Sequence, residues 1–351
     1  MNRWKITLGV ALVAAAVSSP IDVVQACSRV LYETGSQTYI TGRSMDWNDP
    51  TASTHIWAFP RGMARDGGIG ANPVKWTSKY GSVVASFYDA ATADGMNEKG
   101  LVANLLYLAE SDFGDPAKTG KPTLSVVAWA QYFLDNYATV SEAVGAMDQP
   151  AFTIIAPVLP NGRAATVHLS LSDATGDSAI LEYINGELMI YHSRDYAVMT
   201  NSPVYDQQLA LNAYWELIGG DRFLPGTISA ADRFVRLSYS LKTSPKYKEP
   251  SLAVASVFSQ MRAISVPIGM SDPNHPNIAM TLWRTVADHR DLVYYFEATI
   301  SPTVVWVDLK GVDFSEGAGA RKVRNDPAKS LAGEISAHFE IAEPYEWLGA
   351  Q

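Results

Sequence analysis

Residues 24–47 read Val-Gln-Ala-Cys-Ser-Arg-Val-Leu-Tyr-Glu-Thr-Gly-Ser-Gln-Thr-Tyr-Ile-Thr-Gly-Arg-Ser-Met-Asp-Trp, and they include the only cysteine of the chain, Cys27. The stretch joins two different kinds of sequence. On its N-terminal side lie Arg3 and Lys5, an apolar, alanine-rich run from Ile6 to Val17, and the helix breaker Pro20. A run of about a dozen apolar residues is too short to span a bilayer, which takes roughly 20, and no stop-transfer pattern follows it. Val24 and Ala26 fit the -3 and -1 positions of a signal-peptidase site. Residues 1–26 are therefore expected to be a removable export signal, cut between Ala26 and Cys27. The mature chain, 27–351, would be one periplasmic or secreted domain without a stable membrane anchor, and Cys27 would be its first residue.

On the C-terminal side, Cys27–Tyr32 and Thr38–Arg43 read as two strands turning at Gly35, which would pin the new terminus in a sheet. A second hairpin is expected at Ile180–Tyr191, where Asn185-Gly186 supplies the positive φ angles of a two-residue turn. A third pairs Leu292–Phe296 with Val304–Val307. Apolar spacing predicts helices over Leu124–Asn136 and from Ser251 to Met261. Capping signals at Thr139-Val-Ser-Glu142 and Ser229-Ala-Ala-Asp232 predict two more. Strands and helices intersperse without strict alternation, so the fold class is α+β, with helices stacked on antiparallel sheets.

Composition narrows the function. Of 351 residues, 47% are hydrophobic and 18% charged, enough to build a core. The net formal charge is -9, which repels phosphate backbones, so no nucleic-acid partner is expected. One cysteine excludes an intramolecular disulfide and a thiolate zinc site. The segment Gly114–Lys121 has five residues between its glycines and Pro122 where a phosphate loop needs Ser or Thr, so it reads as a loop. The six histidines show no metal-ligand spacing, and no metal or cofactor is expected.

A lone thiol in an oxidising compartment is a liability unless it is used. At a chain terminus it carries its own base, because an α-amino group has a pKa near 7.7–8.0 and lies beside its own side chain. The competing readings are a small buried hydrophobe and the lipid-bearing cysteine of a periplasmic lipoprotein, to which Val24 and Gln25 are a poor match.

Five pieces in order carry a resemblance: Cys27-Ser28-Arg29, Gly42-Arg43-Ser-Met-Asp46-Trp47, Asp94-Gly95-Met-Asn97-Glu-Lys-Gly100-Leu101, Thr200-Asn201-Ser-Pro203 and Asp232-Arg233-Phe-Val-Arg236. The chain resembles the choloylglycine hydrolase and penicillin V acylase family of N-terminal nucleophile (Ntn) hydrolases. The resemblance implies a four-layer αββα sandwich, with two antiparallel sheets between helical layers. It implies Cys27 as nucleophile, Arg43 and Asp46 as the pair holding the thiol and α-amino group, Asn201 as side-chain oxyanion donor and Arg233 as a further active-site arginine. Tyr107, 80 residues after Cys27, falls at the second oxyanion position, where the donor is a backbone N–H; tyrosine there points to an acylase of flat or aliphatic acyl groups. Trp47 would wall the acyl pocket.

The implied reaction is cofactor-free hydrolysis of a small-molecule N-acyl amide through a thioester. Penicillin V and N-acyl homoserine lactones are the substrates expected from the Gram-negative branch, with conjugated bile salts as the alternative. The stretch between Asn201 and Arg233 is shorter than in Gram-positive members, where an added loop helps build the tetramer. Assembly by that loop is not expected, and a homotetramer of another geometry stays open.

Overall fold

The computed structural model describes residues 27–219, 222–270, 278–326 and 331–349; the expected export signal and its cleavage point lie outside the described residues. Two large sheets organise the chain. The first has seven strands, in the order Val198–Met199, β1 (Ser28–Glu33), β2 (Tyr39–Trp47), Met280–Asp288, Val293–Ala298, Val305–Asp308 and Gly333–Glu334. The second has nine, in the order Glu187–His192, Ser178–Ile184, Val167–Ser172, Val102–Tyr107, Ala91–Asn97, Ser82–Phe87, His55–Phe59, Arg321–Arg324 and Glu340–Ile341. Within these sheets one pairing is parallel, Val305–Asp308 with Gly333–Glu334.

Helices cover the outer faces. α1 (Val126–Asn136) and α2 (Val140–Met147) pack on the nine-stranded sheet. α4 (Ala230–Thr243) and α5 (Pro250–Ala263) pack on the seven-stranded one, and α3 (Tyr205–Ile218) packs on α4. This is the αββα sandwich that the resemblance implied. Its core joins all four layers, and fully buried side chains such as Ile40, Phe59 and Phe133 each contribute roughly 1.5–3 kcal/mol by leaving water.

Local signals explain most elements. β1 and β2 pair antiparallel as expected, and Asn185 and Gly186 take φ of 53° and 79° between their two strands. Thr139 caps α2 by accepting from the Glu142 N–H at 3.2 Å, and Ser229 caps α4 through the Asp232 N–H at 3.3 Å. Two expectations need correction. Leu124 and Ser125 do not belong to α1: they pair with Ile154 and Ile155 as a short parallel strand, and the helix starts at Val126. The strand expected at 292–296 runs from Val293 to Ala298, because Leu292 takes a positive φ of 56° and turns the chain.

Every residue of β2 from Ile40 to Trp47 is buried, since one face meets α5 and the other meets the second sheet. The approach of α5 explains Gly42. A Cβ there would lie 2.5 Å from Val257 Cγ1. Period-two alternation then assigns the faces: Gly42, Ser44 and Asp46 point toward the helical layer, and Arg43, Met45 and Trp47 point between the sheets.

Candidate active site

Cys27 immediately precedes β1, opposite Met45 of β2 by extension of the register that pairs Ser28 with Ser44. Its Sγ lies 3.8 Å from Met45 Sδ and receives the Asp46 N–H at 3.5 Å. The thiol is buried between the sheets, on the same face as Arg43 and Trp47.

Arg43 and Asp46, expected as a pair, sit on opposite faces of β2. Arg43 is fully buried on the Cys27 side, where its Nη2 donates to Leu105 O at 3.0 Å and meets Met45 Sδ at 3.5 Å. Its guanidinium lies 4.3 Å from the Trp283 ring centroid, and its Nε and Nη1 have no hydrogen-bond partner. Asp46 is fully buried on the helical side, with Ser44 Oγ donating to Oδ2 at 3.2 Å and Oδ1 unpartnered.

Arg233, on the buried face of α4, reaches the start of β1. Its Nη1 donates to Cys27 O at 2.7 Å and to Ser28 Oγ, and its Nη2 donates to Asn201 Oδ1 at 2.9 Å. A guanidinium can only donate, so this bond fixes the Asn201 amide with its nitrogen pointing away from Arg233. That nitrogen donates to Tyr107 O at 2.6 Å.

The strand carrying Tyr107 explains why its backbone is available. Pairing of Val102–Tyr107 with Ala91–Asn97 covers residues 102 to 104 and stops at Asn104 opposite Asp94. Strand Ala91–Asn97 is diverted by a register shift between Ala85 and Ser86 in its other partner. On the opposite edge Leu108 N bonds Thr166 O, so Tyr107 and Val167 form a non-hydrogen-bonded pair, and the backbone groups of Tyr107 face the unpaired edge. Arg43 meets this edge at Leu105 O and Asn201 meets it at Tyr107 O.

A cavity opens where the two strands part, enclosing about 600 Å³ including its mouth. Cys27 and Arg43 lie at its wall with Met45, Trp47, Leu105 and Tyr107; Phe87, Tyr88, Ala91, Val126, Leu159 and Leu348 continue the lining, and no histidine takes part. The surface is mainly apolar. Trp47 meets Phe87 edge-on at 5.4 Å and donates from Nε1 to Tyr88 Oη at 3.0 Å, and that hydroxyl donates to Asp49 at 2.7 Å. Alternation along β2 would have given Met45; Phe87, Leu159 and Leu348 come from distant segments with no local signal.

Charge and burial oppose each other here. Burial, and after it the Asp46 carboxylate, pushes the Cys27 thiol up from its ordinary value, while Arg43 foremost, then the Asp46 N–H and Arg233, pull it down. Burial also raises the Asp46 carboxyl to about 6, against the charges of Arg233 and Arg43 and hydrogen bonding from Thr281 and Ser44. Arg233 is lowered to about 10 by burial, which leaves it charged at neutral pH.

All six expected site residues meet around this region: Cys27, Arg43 and Tyr107 at the cavity, Asn201 against Tyr107, and Arg233 and Asp46 behind Cys27. Among the described residues, no cluster of His, Cys, Asp or Glu is placed to hold a metal, and no helix is long and apolar enough to cross a membrane.

Comparison with known proteins places the chemistry. The model of the linear amide C–N hydrolases, choloylglycine hydrolase family, matches residues 27–318. A penicillin V acylase of Pectobacterium atrosepticum is 49% identical, over 99% of this chain and 98% of that protein. The solved penicillin V acylase from Agrobacterium tumefaciens is 48% identical and superposes with a TM-score of 0.84, over 92% of this chain and all of that one. A variant of conjugated bile acid hydrolase from Clostridium perfringens, at 20% identity and a TM-score of 0.73 over 87% of this chain and 99% of that one, shares the fold. The chain therefore belongs to the choloylglycine hydrolase family and is a hydrolase of linear amide C–N bonds.

Proposed function

We propose that the chain is an exported N-acyl amidase whose nucleophile is Cys27, freed as the N-terminal residue by cleavage after Ala26, and whose substrates are penicillin V and N-acyl homoserine lactones. The observation that carries the reading is the apolar cavity that opens against the Cys27 thiol. It suits an acyl arm delivered to sulfur with the polar ring of the substrate outward.

In this reading the thiolate attacks the amide carbonyl, and the oxygen that becomes negative is met by Asn201 Nδ2–H and the backbone N–H of Tyr107. Arg43 supplies the positive charge that favours thiolate on the cavity side. The α-ammonium of the processed chain gives its proton to the leaving nitrogen, and the neutral amine then activates water to release the acyl group from the thioester. Asp46 Oδ1, buried without a partner, offers such an ammonium an acceptor, and Arg233 steadies the Cys27 carbonyl beside it. Trp47 walls the acyl site. No cofactor enters the scheme, and the small-molecule amide is the sole partner it requires.

Two measurements test it. The intact mass of the mature protein should correspond to an unmodified chain starting at Cys27, and a diacylglyceryl adduct would make the protein a lipoprotein incapable of this chemistry. Initial rates on penicillin V, a long-chain acyl homoserine lactone and glycocholate should favour the first two. Comparable turnover of glycocholate would overturn the substrate assignment, and turnover surviving Cys27→Ala would overturn the nucleophile.

A further inference from the structure

The family match ends at residue 318, yet the acyl cavity is completed by a residue thirty positions beyond it. Leu348 lines the cavity, and its backbone is tied on both sides to other walls of that cavity. Its N–H donates to Ala90 O at 2.9 Å, in the turn that links Phe87 and Tyr88 to Ala91. Its carbonyl accepts from Ser125 Oγ at 3.4 Å, and Ser125 immediately precedes the helix whose first residues, Val126 and Val127, also face the cavity.

Three residues earlier, the Tyr345 hydroxyl meets Thr92 Oγ1, another lining residue, at 2.5 Å, and its ring packs edge-on against Trp57 and Phe59. Between them Trp347 is buried, stacked edge-on to Tyr345 and seated so closely on Gly68 that a Cβ there would lie 2.6 Å from the Trp347 Cβ. A terminal segment with that many fixed points has little freedom to withdraw, so the position of the Leu348 side chain is set by the fold rather than by the substrate.

We propose that the strap Tyr345–Leu348 gauges the acyl group, with Leu348 as the side chain that limits the length or bulk the cavity accepts. The inference rests on the assignment of this cavity as the acyl site. Shortening Leu348 would free volume along the acyl path, and enlarging it would remove volume. Each methylene then gained or refused changes affinity by about fourfold.

Binding tests this independently of turnover. Straight-chain carboxylic acids of increasing length, the acyl products expected from N-acyl homoserine lactones, are titrated against the full chain carrying Cys27→Ala, alone and with Leu348→Ala or Leu348→Trp. Thermal melts establish that each variant is folded. The best-bound length should increase with Leu348→Ala and decrease with Leu348→Trp, with affinity for acids at the wild-type limit changing by roughly fourfold or more. An unchanged length profile in both folded variants overturns the proposal, and so does the absence of binding at every length. If the lengths shift as expected but the chain with Cys27 intact hydrolyses none of the corresponding amides, the function assigned above fails while the strap's role stands.

Discussion

The carbonyl of Tyr107 accepts a hydrogen bond from the side-chain amide of Asn201 at 2.6 Å, across a strand edge that its own sheet has left unpaired. An amide nitrogen has two hydrogens, so one remains, and the N–H of Tyr107 lies on the same edge as its carbonyl. The two donors proposed for the oxyanion are thus positioned by one contact. Its sense is set from the other end by Arg233, which can bond only to the oxygen of Asn201.

Asn201→Ala should therefore lower kcat by about 10²–10³, the usual effect of losing one oxyanion donor, while KM changes little. Arg233→Met should also lower kcat, because the Asn201 amide then keeps only its bond to the Tyr107 carbonyl and is held less firmly, and the Cys27 carbonyl loses its donor. Steady-state kinetics on penicillin V would check both. A rise in KM at unchanged kcat would place Asn201 in substrate binding instead.

The thiol gives a second prediction. Burial raises the Cys27 pKa and Arg43 is the leading influence that lowers it, so removing that charge disfavours the thiolate further. Arg43→Gln should move the pH profile of iodoacetamide alkylation upward and slow the reaction at neutral pH by roughly tenfold or more. An unmoved profile would mean that the arginine acts on substrate alone.

Asp46 should show function opposing stability. In the full-length chain its pKa is raised from 3.8 to about 6, so between those values the folded state holds a proton that the unfolded state has released. Stability from this group is present at low pH and falls as pH rises through about 4 to 6, by roughly 3 kcal/mol in all. Asparagine reproduces the neutral acid. Asp46→Asn should be inactive after processing, yet the unprocessed chain should be more stable than wild type in urea at pH 7.5 and equal to it below pH 4.

What the sequence disclosed follows from how local each signal is. The Asn185-Gly186 turn and the caps at Thr139 and Ser229 are decided by a few neighbouring residues, and they were legible. α3 was not, for Val204 makes no side-chain cap and only Tyr205 and Gln208 of the helix are buried, so no apolar stripe marks it. Arg43 and Asp46 came as a pair from the resemblance alone, and nothing local in the sequence said which side of Cys27 each would take until strand alternation put residues three apart on opposite faces. The cavity was least legible, since Phe87, Leu159 and Leu348 meet only through the tertiary fold.

A buried histidine provides the last prediction, with the opposite sign to Asp46. His289 sits with Nδ1 2.7 Å from Gly100 O and Nε2 2.7 Å from Thr41 Oγ1. The carbonyl can only accept, so Nδ1 carries the proton, and in the neutral ring Nε2 accepts from the hydroxyl. Burial accordingly lowers its pKa from 6.5 to about 4. In that interval the unfolded chain takes up a proton that the folded chain refuses, so this contribution to stability is complete above about pH 6.5 and is lost as pH falls to 4. The shift corresponds to roughly 3 kcal/mol. His289→Gln should be less stable than wild type at pH 7.5, and the gap should narrow toward pH 4 because glutamine has no proton to take up. Urea denaturation of both chains across that range would measure it, and a gap constant with pH would mean that the ring is charged inside the fold.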